Sequence, residues 1–516
     1  MLTVLSPDDI ERIHQSSLDV LAETGIWFHD APEVVELLEQ HGCTADGFRV
    51  RFPRKVVDEA LAQVPDRDGF KFWFGAFRDG IGASKGESHV FVIGNAYYLY
   101  DYEAGCHRDC VEADWEDKWL VTDNLRHIEG DHCTLIVNTI RGIGTARDYS
   151  TPEACTSYIQ RRVNDQLAAK AARPRTRTPG PKNGGWGQSA AEARLSELSH
   201  MVAYGPKVTE DFWARSAAAF VWCNPLSPLQ FNPEESLGIL KVARDTTGRP
   251  RIVMLAPEVM MGATGPVTVT GTLVQHNAEV LAGVVLAQLA GPGTFAIYGC
   301  VSAPMDMRVA EIALGSFEAT MLNVACVQMA DRYGLPSRIT AGNTGARRPG
   351  VRAAVELMMG LYSGLAAGGN LITTGLLDAT LMLSYEHLVL LDEMVPHVRS
   401  MLAGVRTDEF APAIAEIQTH GHPKPGFLTS DYTLQNMKRD IYYSDYSGRT
   451  EKSYEDWYET AHRKVQEIFK QRSNAPAPSG DVQERLAAVE ARLREDMNTW
   501  RAGGDGWWQP YVRDSA

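Results

Sequence analysis

The 516-residue chain is predicted to fold as a (β/α)8 TIM-type barrel with an N-terminal α+β extension and a C-terminal helical tail. Two observations lead there. RIVMLAP (251–257), TFAIYGC (294–300), SRITAG (337–342) and LITTG (371–375) are β-rich, evenly spaced, and joined in succession by helical segments. Consecutive βα units of this kind imply parallel strands. No Gly-rich dinucleotide fingerprint accompanies these strands, which argues against a nucleotide-binding open sheet. Weaker strands at AFVWCN (219–224) and near 127–137 bring the count towards eight.

The elements follow in order. SPDDIERIHQSSLDVLAETG offers Ser6 as helix cap, Pro7 at the first helical position and Gly25 as the stop; APEVVELLEQHG repeats the scheme to Gly42. VRFPRKVVDEALAQVP gives a short strand and a third helix. KFWF, HVFVIG and YYLYDY are β-rich pieces, completing an N-terminal α+β region over 1–115. The barrel is assigned to 116–470. It is interrupted at 161–190 by a basic, Pro-rich stretch that reads as a surface insertion or a docking loop. Within it, Asn232-Pro233 opens a helix. Further helices run to Gly291-Pro292, from about 308 to Tyr333, and over 350–367. NAPAPSG then begins the 475–516 region as a linker, and DVQERLAAVEARLREDMNTW is an amphipathic helix. A lone helix of that length is marginal in water, so it is expected to pack on its own or a neighbouring subunit, favouring a homo-oligomer.

Lys and Arg number 50 against 65 Asp and Glu, a net charge of −15. Such a surface repels phosphate backbones and disfavours nucleic acid. The most apolar run, VLAGVVLAQLA (280–290), is shorter than a membrane span. The N-terminus turns acidic at once, unlike a secretory signal. Eight scattered cysteines complete the expectation of a reduced, cytoplasmic protein with no membrane partner.

In a barrel, catalytic groups sit at the C-terminal ends of the strands. That rule selects Asn224, Glu258, Tyr298, Cys300, Asn343, Thr344, Thr374 and Asp378. Cys106-His107-Arg108-Asp109-Cys110 and His420-Gly421-His422 lack a second pair at zinc spacing, so no metal site is expected. The nucleophile-elbow and phosphate-loop patterns are absent from the sequence. Trp73, Phe74, Tyr97, Tyr98 and Tyr100 cluster beside Asn95 and Asp101. Aromatic faces next to a carboxylate suit a quaternary ammonium, and they also suit the packing of a small sheet.

The opening SPDDIERIHQSSLDVLAETGI…VRFPRKVVDEALAQVP resembles the trimethylamine methyltransferase family, specifically its members without pyrrolysine. So do YDYEAG (100–105), GATGPVTVTG (262–271), AEVLAGVVLAQLAGPG (278–293) and SAPMDMRVAEIALGSFEA (302–319). The resemblance covers roughly 5–470 and implies a (β/α)8 barrel. It also implies transfer of a methyl group from a quaternary amine such as glycine betaine to Co(I) of cobalamin (a corrinoid) carried by a small corrinoid-binding partner protein. After SRITAG, the chain departs from the family's Asp-Ser-Lys-like run and reads Asn343-Thr344-Gly345-Ala346-Arg347-Arg348-Pro349-Gly350-Val351-Arg352, with Glu356 downstream. One arginine there is a candidate clamp for a substrate carboxylate, or else covers the rim or meets the corrinoid protein. Asn343 and Glu356 are the candidate catalytic residues. Asn95, Tyr97, Tyr98, Tyr298 and Arg347 are the candidate substrate-binding ones. The alternatives are a sulfonium substrate, a different methyl acceptor, a barrel that binds betaine without turning it over, and a zinc methyltransferase.

Overall fold

The computed structural model describes residues 1–72, 81–111, 113–135, 218–225, 227–421, 426–444, 446 and 456–470. Helix α1 (Pro7–Asp19) begins as its sequence requires. Ser6 accepts from the Asp9 backbone N–H, while the Asp9 carboxylate takes the Ser6 N–H. That capping box satisfies two donors the first turn cannot bond internally. Gly25 carries φ +79°, and a Cβ there would stand 2.4 Å from the Val50 carbonyl oxygen. α2 (Pro32–Gln40) and α3 (Arg54–Leu61) follow. Ile26–Phe28 pairs antiparallel with Arg49–Arg51 and parallel with Gln230–Phe231, so the N-terminal elements are tied to the rest of the chain.

Seven strands form one all-parallel sheet: β1 (His89–Ala96), β2 (Gly130–Leu135), β3 (Ala219–Cys223), β4 (Arg251–Leu255), β5 (Phe295–Cys300), β6 (Ser337–Thr340) and β7 (Leu371–Thr373). Their spatial order is β3-β4-β5-β6-β7-β1-β2. The first strand therefore pairs with the last, His89 opposite Leu371. This corrects the sequence reading, which placed HVFVIG in a separate N-terminal region ending at 115. Local pattern marks a strand but not its partner, and the partner of β1 lies some 280 residues downstream.

Alternation assigns the faces. Val221, Val253, Leu255, Ala296, Ile339 and Ile372 pack into the main core with the helices. Phe220, Trp222, Ile252, Met254, Phe295, Ile297, Leu371, Phe91 and Ile93 form a separate cluster with Phe70 and Phe72 that, among the described residues, no helical side chain enters. This face is buried by the sheet's own curl. The Arg338 guanidinium lies 4.9 Å from the ring centroid of Trp222, although β6 and β3 are three strand positions apart. In a flat sheet the two strand backbones would lie roughly 14 Å apart.

The helices covering the outer face are α4 (Ala113–Asn124), α5 (Pro233–Ala243), α6 (Val269–Ala290), α7 (Phe317–Tyr333), α8 (Val351–Ala367) and α9 (Tyr385–Leu402). α10 (Phe410–His420), α11 (Asp431–Asp440) and α12 (Trp457–Phe469) follow, with α12 packed on α9. α5 opens on the predicted Asn232 cap, reciprocated by Glu235. α7 starts later than the expected 308 because Ala303–Asp306 and Glu311–Ile312 pair as a small antiparallel ribbon. The 161–190 insertion and the 481–500 helix lie outside the described residues.

α6, at 22 residues, is long and apolar enough to cross a bilayer, which the 280–290 run alone is not, yet it is largely buried inside the fold against α1, α3 and α5. Its polar groups bond within the protein. The buried Glu279 carboxylate accepts from Ser227 Oγ, the Leu229 N–H and Gln275 Nε2 at 2.7–3.0 Å. Burial pushes its pKa up to about 7. The native state thus holds a proton that the unfolded chain releases near pH 4.3, so this group's stabilisation is present at low pH and lost as pH rises towards 7. Glu279→Gln should remove that dependence. Its stability relative to the parent, followed by urea unfolding, should rise between pH 5 and 7 by up to about 1.4 kcal/mol per unit.

β6 is held to α7 by Asn323, whose amide donates to the Ala319 and Thr340 carbonyls and whose Oδ1 accepts the Thr340 N–H. Asn323→Ala leaves buried backbone groups unpaired and should lower stability by about 2–3 kcal/mol in denaturant titrations.

Candidate functional site

In AFVWCN, alternation sends Ala219, Val221 and Cys223 to the helices and Phe220 and Trp222 inward. In SRITAG it sends Ile339 outward and Arg338 and Thr340 to the opposite, inner face. Between these strands the next inner positions are Ala256 and Gly299, packed so closely that a Cβ on Gly299 would stand 2.4 Å from that of Ala256. Two minimal side chains leave the space through which Arg338 reaches Trp222.

Arg338 is 4% exposed. Its Nη1 donates to Thr340 Oγ1 at 2.8 Å and to the Cys300 carbonyl at 3.3 Å, and its Nε is buried with no partner. Among the described residues, Nη2 makes no hydrogen bond and no carboxylate forms an ion pair with the guanidinium. Burial lowers its pKa to about 10, so it stays protonated at neutral pH. Glu258, just past the end of β4, has its carboxyl raised by burial, the Arg338 charge acting against that shift. Trp222 Nε1 donates to Asn224 Oδ1 at 2.5 Å, fixing the indole edge. Trp222, Asn224, Glu258, Arg338 and Thr340 thus stand on or just past β3, β4 and β6, towards the C-terminal end of the sheet.

Sequence-predicted residues fall into three groups. Asn95, Tyr97 and Asn343 lie at the same C-terminal end, at or just past β1 and β6. Asn343 is buried, with its Oδ1 accepting the Leu376 N–H at 2.9 Å and its Nδ2 unpartnered. Tyr98 sits on the Tyr98–Asp101 strand, edge-on to His107 at 5.1 Å. Trp73 and Phe74 lie outside the described residues.

A second group holds loops together. Glu356 Oε2 accepts from Thr344 Oγ1 and the Gly345 N–H, and Oε1 takes Arg352 Nε at 2.7 Å. It braces the 343–346 turn from the first turns of α8. Arg347 is corrected as a substrate clamp. Its Nε donates to Asp378 at 2.9 Å and its Nη2 to Glu311, and it is 60% exposed on the rim. Two protein carboxylates already occupy its fork.

The third group is Tyr298, whose expected position at the site is also corrected. With Ala296 and Cys300 it faces the helices, because the strand's parity is opposite to that expected. It is fully buried, donates to Asn277 Oδ1 at 3.1 Å and stacks on Tyr333. Sequence reasoning missed Trp222 and Arg338. The available signal was a charged residue two places into a strand, one step out of phase with Ile339.

One unpredicted group brings His276, Cys300 and Cys326 together, with potential ligand atoms all within 4.8 Å. Nδ1 of His276 is bonded to Ser302 Oγ and Nε2 to the Gly299 carbonyl. Burial lowers its pKa to about 4 and holds the Cys326 thiol protonated. With both ring nitrogens engaged, fewer free ligands remain than a tetrahedral zinc site requires.

Residues 1–117 and 187–497 match the trimethylamine methyltransferase family. The chain is 29% identical over 511 residues to the glycine betaine methyltransferase of Desulfitobacterium hafniense, covering 96% of this chain and 98% of that one. It is 27% identical to a trimethylamine methyltransferase of Methanosarcina acetivorans, covering 95% of each. It is 26% identical to the proline betaine:corrinoid methyltransferase of Eubacterium limosum, covering 95% of this chain and 92% of that one. Among solved structures, it aligns with the monomethylamine methyltransferase of Methanosarcina barkeri at a TM-score of 0.49 and 12% identity, over 96% and 88% of the two chains.

Tyr298→Phe deletes one buried hydrogen bond and should cost about 1 kcal/mol in unfolding experiments. It should leave KM for any substrate unchanged, which separates a packing residue from a binding one.

Proposed function

The chain belongs to the trimethylamine methyltransferase family, and on that premise we propose that it moves a methyl group from a betaine-like quaternary amine to Co(I) of a corrinoid carried by a partner protein. The observation that carries the substrate side is Glu258 and Trp222 on neighbouring strand ends of the sheet face that, among the described residues, helices leave uncovered. A carboxylate beside an aromatic wall stabilises an ammonium that cannot donate hydrogen bonds. The names of two relatives, which act on glycine betaine and proline betaine, support the same class.

The corrinoid supplies the nucleophile; the residues of this chain supply position. A quaternary nitrogen departs as a neutral tertiary amine, so no proton need be delivered to the leaving group. What remains is to hold one N-methyl in line with its acceptor and to keep water out. Trp222 and Phe220 wall the inner face, and Tyr97 and Asn343 extend the site at the same end of the sheet, where the Asn95 backbone also lies. We assign Asn343 the role of orienting substrate through its unpartnered Nδ2. Around that end, Val267, Met307, Val309, Val351 and Leu381 expose apolar surface on the segments after β4 to β7. An apolar rim of this kind fits a docked corrinoid protein.

The curl of the sheet and the β1–β7 pairing support the finer reading of a (β/α)8 barrel. Among the described residues, seven cysteines are free thiols and six of them are buried, in keeping with a reduced, cytoplasmic setting.

Purified protein supplied with glycine betaine and Co(I) cobalamin should release dimethylglycine, read by mass spectrometry, with proline betaine as a second donor. Absence of demethylated product from every quaternary amine, with either free cobalamin or a corrinoid protein, would overturn the reading.

A further inference from the structure

A buried arginine and a half-buried carboxylate stand at the same end of the inner face and do not pair. Besides the Cys300 thiol, Glu258 is the carboxylate whose charge reaches Arg338, and Arg338 is the cation whose charge reaches Glu258. No ion pair closes between them among the described residues. A buried charge without a bonded counter-ion is strongly unfavourable, and proteins retain one chiefly where a ligand completes it.

The donors that remain on Arg338 narrow the ligand. Nη1 is committed to Thr340 and Cys300, and the Trp222 ring lies against the guanidinium face at 4.9 Å. Nε and Nη2 are left, and together they form the side-on edge that binds both oxygens of a carboxylate. A simple anion there would meet the field of Glu258, and a simple cation beside Glu258 would meet that of Arg338. A molecule bearing both charges a few bonds apart neutralises both poles at once.

We propose that Arg338 and Glu258 are the opposite poles of a binding site for a short zwitterion, its carboxylate on the Nε/Nη2 edge of Arg338 and its quaternary ammonium towards Glu258. This rests on the function proposed above and narrows its substrate to carboxylate-bearing amines, excluding choline and trimethylamine. It also moves the carboxylate clamp from the rim, where Arg347 is already neutralised, to the interior.

Calorimetry on the full chain tests it with three probes of similar shape: glycine betaine, choline, and 3,3-dimethylbutanoate, in which carbon replaces the charged nitrogen. The parent should bind glycine betaine at least about tenfold more tightly than either of the others. Arg338→Gln should weaken betaine binding by roughly 30-fold or more and leave choline equal or improved. Glu258→Gln should erase the preference for betaine over 3,3-dimethylbutanoate. Arg338→Lys, which keeps the charge but not the fork, should fall between.

A folded Arg338→Gln variant, with unchanged circular dichroism and unfolding midpoint, that binds betaine as the parent does would overturn the proposal. If that variant does not fold, the parent's own panel decides, and choline bound as tightly as betaine overturns it equally. A parent that demethylates quaternary amines with Co(I) yet prefers choline leaves the function standing and removes the zwitterion site. A parent inert towards all of them in the methyl-transfer assay, but selective for betaine in calorimetry, does the reverse.

Discussion

The interior is governed by one constraint: the inner face of the parallel sheet is buried by the sheet's own curvature. Side chains that alternation sends inward therefore find their partners among other inward residues and the Phe70–Phe72 segment that packs against them. Apolar ones do so by packing, as Phe295 and Met254 do with Phe70 at the lower end. Polar ones have only the strand ends. The absence of bulk at Ala256 and Gly299 lets Arg338 cross that space to Trp222, and it ties three strands to one cation. The geometry of the candidate site is thus a consequence of how the sheet curls.

The same economy explains the loops above it. The segment after β6 carries Arg347, Arg348 and Arg352, and the structure neutralises Arg347 and Arg352 locally. Arg347 meets Asp378 and Glu311, and Arg352 meets Glu356, which also anchors the Thr344–Gly345 turn. Exposed pairs of this sort contribute little to stability, roughly 0–1 kcal/mol each, but they fix where a loop lies. Gly342, at φ +96°, brings the backbone so near Thr374 that a Cβ would stand 2.5 Å from its hydroxyl. Loop position, more than loop charge, shapes the mouth.

Several elements were legible in the chain because their cause is local. Ser6 with Asp9, and Asn232 with Glu235, cap helices through bonds between residues three apart. The strands RIVML, FAIYGC and SRIT announce themselves by β-branched and aromatic content. The site was legible only in part. Asn224, Glu258 and Asn343 followed from the rule that chemistry sits at strand ends, whereas Tyr298 did not hold because one residue's shift in parity turns a side chain from the interior to the helices.

By itself, then, the sequence determined the βα rhythm, the helix boundaries set by caps and glycines, and the family whose blocks it shares. Only the tertiary structure decided that HVFVIG joins the sheet beside the last strand, which arginine is neutralised and which is not, and which face each aromatic takes. The physical reason is range. Caps and propensities act over one turn of chain. Strand partnership, burial and the pairing of charges bring together residues such as His89 and Leu371, or Trp222 and Arg338, that no local pattern relates.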